Sequence, residues 1–161
     1  MNALEFAVKM ELDGEKYYTG QAEVNKGNKL NTVCALLAKD EKNHAQILNN
    51  KMNELPYELV SSTAYDAKKN IFSDIESFKS DIVKIPSQLE FYRMALEKEK
   101  QSIDLYTDFL LKAVDDGEKK LFEYLKQQEE QHYEIIQELV MLLRHAEDWV
   151  ESAEFGIRKD Y

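Results

Sequence analysis

The sequence predicts an all-α fold, a four-helix bundle of two antiparallel hairpins joined by a long crossover. Three observations lead there. Apolar residues recur at intervals of three and four along four long segments, and nowhere with the alternation of a strand. The breaks inside each pair of segments are short, whereas the break between the pairs spans about residues 53–86. With five Gly and two Pro in 161 residues, the chain has few places to turn.

The first helix is expected over about residues 3–25, with Leu4, Ala7, Val8, Tyr18 and Ala22 on its apolar stripe. NKGNK (25–29) ends it. The second runs from about 29 to 52 with Leu30, Val33, Leu37, Ile47 and Leu48 inward, and Pro56 stops its continuation. A short helix is expected near AKKNIFSDIESFKS (67–80), before Pro86. The third long helix starts near Ser87, an N-cap by residue type, and reaches about 114 on a stripe of Leu89, Tyr92, Leu96, Ile103, Tyr106 and Leu110. VDDGEKK (114–120) turns the chain. The fourth helix occupies about 118–145 with Leu121, Leu125, Ile135, Ile136, Leu139 and Leu142 inward. Residues 1–146 thus read as one bundle domain. The tail 147–161, with Trp149 and Phe155, is expected to pack on the bundle or on a partner subunit.

A formal net charge of −10 argues against nucleic acid or an anionic membrane surface as a partner. One cysteine, Cys34, excludes an internal disulfide and any cysteine-only metal site within one chain; its apolar neighbours read as core. No run is long and apolar enough to cross a bilayer, and the charged N-terminal segment lacks a signal-peptide pattern, so the cytoplasm is the expected compartment.

Each apolar stripe carries an acid where an apolar residue belongs. Glu11 lies on the first and Glu99 on the third, while the second and fourth carry the pairs Glu41/His44 and Glu129/His132. Residues at i and i+3 share a helix face, so each pair points at one centre. Counting from the hairpin turns at about 1.5 Å per residue puts Glu11 and Glu41 both roughly 20 Å along their helices. An offset of 88 maps Glu11 to Glu99, Tyr18 to Tyr106, Leu37 to Leu125, Glu41 to Glu129 and His44 to His132. Two copies of one hairpin, related by an approximate twofold axis, supply two similar half-sites. Four buried carboxylates repel one another and lose their hydration; two divalent cations would cancel that charge, with neutral imidazoles completing the ligand set. The cluster is therefore a candidate metal centre. Asp40 and Gln128 precede the pair glutamates, and each is expected to reach across to a ring nitrogen of the opposite histidine, His132 and His44 respectively. Gly14 and Ser102, small residues three positions after Glu11 and Glu99, either leave room for a small oxidant or let helices pack closely. His145 has no glutamate three residues before it and reads as a surface residue.

In MELDGEKYY (10–18), DEKNH (40–44), EKQSIDLY (99–106) and QEEQH (128–132), the chain resembles the ferritin-like di-iron carboxylate proteins, and the rubrerythrin group most closely. The tail DWVESAEF (148–155) also looks like that of small rubrerythrin-like proteins. The resemblance implies Glu11, Glu41, His44, Glu99, Glu129 and His132 as ligands of two iron ions, with manganese suited to the same set. Glu41 and Glu129 would bridge the metals, and Glu11 and Glu99 would be terminal. It implies reduction of hydrogen peroxide or dioxygen to water in a homodimer. Rubrerythrins proper add a four-cysteine rubredoxin domain, which a chain with one cysteine lacks, so electrons must come from a separate donor such as a rubredoxin-like protein. They also carry a glutamate three residues before the third-helix ligand, where this chain has Leu96. The remaining six-residue set is equally similar to a ferroxidase centre, which leaves ferritin-type iron handling open beside the peroxidase reading. A bundle that metal merely staples is the third reading.

Overall fold

The structure is a computed structural model that describes residues 1–72 and 88–159, the last stretch from residue 146 as backbone only. Among the described residues the helices are α1 (Ala3–Val24), α2 (Lys29–Met52), α3 (Thr63–Phe72), α4 (Leu89–Lys112) and α5 (Asp116–Lys159). Local chemistry sets the boundaries. Asn2 and Glu5 form a reciprocal capping box at the start of α1. Gly27, at φ +98°, makes the turn to α2, and Asn28 then caps that helix by accepting from Leu30 N at 2.9 Å. At the second hairpin Asp115 Oδ1 accepts from Glu118 N at 2.8 Å, opening α5.

Three boundaries differ from the sequence reading. The crossover helix begins at Thr63, earlier than residue 67, because Ser62 accepts from Tyr65 N at 3.0 Å and caps it. The rest of the expected crossover helix lies outside the described residues, as does Ser87; α4 follows Gln88, whose side chain makes no cap bond. The fourth long helix does not stop near residue 145 but continues to Lys159, so the described part of the tail is more of the same helix.

Two apolar clusters fill the bundle, one toward each end. One joins the end of α1 and the start of α2 to the start of α4 and the later part of α5, through Ala22, Leu37, Tyr92, Ile136 and Leu139 among others. The other joins the opposite ends, through Val8, Leu48, Tyr106, Leu121 and Leu125. These memberships make α1 antiparallel to α2 and α4 antiparallel to α5. They also place the end of α2 and the start of α4 at opposite ends of the bundle, which is why the connection must be long. Leu143, rather than Leu142, is the buried residue at its level of α5. Leu96, Ile103 and Leu110 are only half-buried.

A buried amide network closes one end: Gln21 Nε2 and Asn25 Nδ2 donate to Gln88 Oε1, and Gln88 Nε2 donates to Asn25 Oδ1 at 2.7 Å. Cys34 is buried beside Tyr92, with Sγ 3.4 Å from the hydroxyl. Core packing predicts that Leu125→Ala costs about 3 kcal/mol, the usual range for a fully buried leucine. Leu111→Ala, at an exposed position, should cost less than about 0.5 kcal/mol. Urea midpoints of the two variants check the pair.

Candidate metal centre

Between the two apolar clusters lies one polar layer. Glu11 from α1, Glu41 and His44 from α2, Glu99 from α4, and Glu129 and His132 from α5 are all buried there, none more than 4% exposed. Side chains at i and i+3 on α2 and α5 present carboxylate and imidazole together, and α1 and α4 each add one glutamate at the same height. Two groups form, Glu11/Glu41/His44/Glu129 and Glu41/Glu99/Glu129/His132, and within each the ligand-type atoms lie within 4.8 Å of one another. Glu41 and Glu129 belong to both. All six candidates from the sequence therefore converge, and the glutamates of the two i, i+3 pairs are the shared ones.

Both imidazoles turn Nδ1 into the layer. His44 Nδ1 lies 3.4 Å from Glu11 Oε2 and 3.3 Å from Glu129 Oε1. His132 Nδ1 lies 3.0 Å from Glu41 Oε1 and 3.5 Å from Glu99 Oε1. Both turn Nε2 away, toward the two residues proposed from sequence: His44 Nε2 is 2.9 Å from Gln128 Oε1, and His132 Nε2 is 2.9 Å from Asp40 Oδ2. A proton on Nε2, donated to those oxygens, leaves the Nδ1 lone pair for a cation. The tyrosines repeat the symmetry, Tyr18 donating to Glu99 Oε1 and Tyr106 to Glu11 Oε1, each at 2.5 Å.

The residues missed in the sequence reading sit behind Asp40. Its carboxylate accepts from Ser62 Oγ at 2.6 Å, Thr63 N at 2.9 Å, Thr63 Oγ1 at 2.6 Å and Ala64 N at 3.3 Å. The start of α3 is thereby tied to the polar layer. Lys68 adds a second tie, 2.9 Å from both Glu134 and Glu138 of α5. The signal that could have located this was the Ser–Ser–Thr run at 61–63, a typical N-cap composition.

Electrostatics divides the carboxylates. Burial and the charges of Glu11 and Glu99 push Glu41 well above the ordinary carboxylate range, and burial with Glu11 and Glu41 does the same to Glu129. Burial alone would raise Glu11 too, but the adjacent His44 and hydrogen bonds within the layer outweigh it and bring it to about 2. Burial likewise opposes the lowering of Glu99, which the adjoining Glu129 carboxyl and the charge of His132 carry through. His132 would be lowered by burial, yet Glu99, Asp40 and Glu41 hold it well above its ordinary value. Tyr18 and Tyr106 are pushed up by burial and by the neighbouring carboxylates, so they stay protonated donors.

The layer fits a metal site. Glu11 Oε2, Glu99 Oε2, both oxygens of Glu129 and His44 Nδ1 are buried with no hydrogen-bond partner. Unpaired acceptors of this kind are costly inside a protein. Here they point into one small volume, as ligand atoms do. The donor set, carboxylate and imidazole, suits iron or manganese.

A cleft of about 220 Å³ between α1 and α4 reaches the layer at Glu41 and Glu99, past Gly14, Ser102, Tyr18 and Lys98. A Cβ on Gly14 would stand 3.1 Å from Glu41 Oε2, so the glycine gives the carboxylate its room. His145 is exposed, thirteen residues beyond His132 on α5, and belongs to neither group of converging ligand-type atoms. No helix among the described residues is long and apolar enough to cross a membrane. Comparisons with curated proteins and with solved structures find no match. The family model for rubrerythrin matches residues 2–140, from α1 through the ligand-bearing part of α5, and the chain belongs to the rubrerythrin family.

Proposed function

We propose that the protein is a di-iron oxidoreductase that reduces hydrogen peroxide, or dioxygen, to water with electrons from a separate donor such as a rubredoxin-like protein. Its setting would be the cytoplasm and its form a homodimer. The observation that carries this reading is the pair of half-sites sharing Glu41 and Glu129, with a cleft that ends on the same layer. Glu11, Glu41, His44, Glu99, Glu129 and His132 would hold two iron ions, with manganese suited to the same set. When bound, two ferrous ions would supply two electrons, enough with two protons to turn one hydrogen peroxide into two waters; dioxygen takes four electrons and four protons, so the external donor would have to supply the other two electrons.

The chain's own groups prepare that chemistry. Asp40 and Gln128 hold the two Nε2 protons, so the imidazoles present Nδ1 inward. Tyr18 and Tyr106 occupy one oxygen of each terminal glutamate and leave the other directed at the layer. Apolar clusters above and below exclude bulk water, so peroxide and protons enter from the side, through the cleft. Metal analysis of protein purified without oxygen, then stopped-flow mixing with peroxide and with dioxygen in the presence of a reductant, tests the reading. Two irons per chain and repeated peroxide turnover support it; absence of metal, or bound metal inert to both oxidants, defeats it.

A second reading is iron oxidation for storage. Leu96, half-buried against the apolar cluster, stands where rubrerythrins carry an additional glutamate, and that favours a ferroxidase-like set. Size-exclusion chromatography separates the two, because storage requires a large hollow shell and the peroxidase needs only a dimer.

Gly14 offers a finer check. Gly14→Ala brings a methyl group against Glu41, and a shift of a few tenths of an ångström there should slow peroxide turnover roughly tenfold. Both metals should be retained, and tert-butyl hydroperoxide should be slowed more than hydrogen peroxide. Equal rates for glycine and alanine would reduce Gly14 to a helix-packing residue.

A further inference from the structure

The internal repeat makes the two half-sites near copies, and the structure shows where the copy fails. The offset of 88 pairs Tyr18 with Tyr106, and their bonds to Glu99 and Glu11 have the same length, 2.5 Å. It pairs Glu41 with Glu129 and His44 with His132. Behind the imidazoles it pairs Asp40 with Gln128, a carboxylate with a neutral amide. Both stand 2.9 Å from the Nε2 of the histidine they face. The geometry matches while the charge does not.

The cause lies in the crossover. The described part of that connection, α3, docks on the Asp40 side. There Ser62, Thr63 and Ala64 at the start of α3 supply four donors to the Asp40 carboxylate, at 2.6–3.3 Å. Those donors engage both oxygens of the Asp40 carboxylate and fix its direction although it is only 3% exposed. Gln128, 5% exposed, meets its histidine with no net charge.

A carboxylate that accepts the Nε2 proton draws it away from the ring and makes Nδ1 a stronger electron donor; it also adds a full negative charge close to the cation. An amide oxygen does both only weakly. Resting on the metal-centre reading above, we infer that the two half-sites bind metal unequally: Glu41, Glu99, Glu129 and His132 hold the tighter ion, and Asp40, tied to α3, is the positioning residue that makes it so. The ion beside Glu11 and His44 is then the more readily lost. The cleft opens at Glu41 and Glu99, on the tighter side, so an incoming oxidant meets the better-held metal first.

The test uses anaerobic Fe²⁺ titration against a competing chelator. Glu11→Ala leaves the His132 half-site and Glu99→Ala leaves the His44 half-site, so each affinity is read without the other ion. The Glu11→Ala protein should bind Fe²⁺ about 10–100-fold more tightly than the Glu99→Ala protein, the range typical for a hydrogen-bond partner behind a ligand. Adding Asp40→Asn to Glu11→Ala should remove that advantage. Adding Gln128→Glu to Glu99→Ala should tighten binding by a similar factor, and this variant does not touch α3, so it is informative even where Asp40→Asn weakens folding. Equal affinities of the two half-sites, or a Gln128→Glu protein that binds no more tightly, overturn the inference. Wild-type protein that binds no Fe²⁺ overturns the metal-centre reading itself, and this inference with it.

Discussion

On the proposed di-iron reading, Glu41→Ala should leave the protein with at most one bound metal ion per chain and abolish peroxide turnover, while His145→Ala should keep both metals and full turnover. Glu41 is common to both groups of ligand atoms, so its loss removes an oxygen from each half-site at once. The rate should fall by more than roughly 100-fold, the loss that removal of one preorganised charged group commonly brings. Glu41→Gln separates binding from folding. The Glu41 carboxyl sits well above its ordinary range because burial and two neighbouring acids favour the protonated form, and an amide resembles that form. The metal-free Glu41→Gln protein should therefore melt within a few degrees of wild type, yet show little of the wild-type rise in Tm when Fe²⁺ or Mn²⁺ is added. Inductively coupled plasma analysis and thermal melts with and without metal provide the readout. A Glu41→Ala protein that keeps two ions would remove this residue from the centre.

The second large effect is the dependence of stability on pH, which should run in opposite directions without and with metal. Glu41 and Glu129 titrate above their unfolded values. Their contribution to stability is therefore complete below about pH 4.3 and is lost as pH rises through the raised values. His132 is also raised, so its contribution is complete below about pH 6.5 and declines above that. Glu11 and Glu99 are lowered, and their contribution is present above about pH 4.3 and lost only in acid, for Glu11 toward about 2. Between pH 5 and 8 the contributions of Glu11 and Glu99 are already complete while those of Glu41, Glu129 and His132 decline, so the metal-free protein should lose stability as pH increases. Cations must displace the protons from Glu41, Glu129 and His132, so they bind better as pH increases. At a hundredfold excess over Kd each ion adds about 2.7 kcal/mol. At about 2–4 °C per kcal/mol for a chain of this size, that is roughly 5–10 °C per ion. Calorimetry of metal-free and Mn²⁺-loaded protein across that range would test the crossing. A metal-free protein that gains stability toward pH 8 would contradict the charge distribution of the layer.

The pattern of the polar layer is legible in the sequence because helical geometry converts spacing into direction. A residue three positions from another on a helix shares its face, so Glu41/His44 and Glu129/His132 announced their joint orientation in the sequence. The repeat at offset 88 announced that two hairpins would present the same set. Even the partners of the imidazoles could be named, since Asp40 and Gln128 are adjacent to inward-facing residues and face the neighbouring helix. The inward position on α5 at Leu143, rather than Leu142, was not readable in the same way. A straight helix drifts relative to any short repeat, and neighbouring helices decide which of two adjacent leucines ends up covered.

The sequence by itself determined the all-α bundle, its two hairpins, the long crossover and the identity of the residues in the polar layer, because each follows from periodicity within a few turns of helix. Tertiary structure alone decided that α3 begins at Thr63 and anchors Asp40, that the cleft opens between α1 and α4 beside Gly14, and that His44 and His132 have partners of different charge fixed in place. Those features join residues far apart in the chain, such as Asp40 with Thr63 and Gly14 with Glu41. Contacts of that kind leave no period in the sequence; they exist only once the helices have packed and α3 has docked beside Asp40.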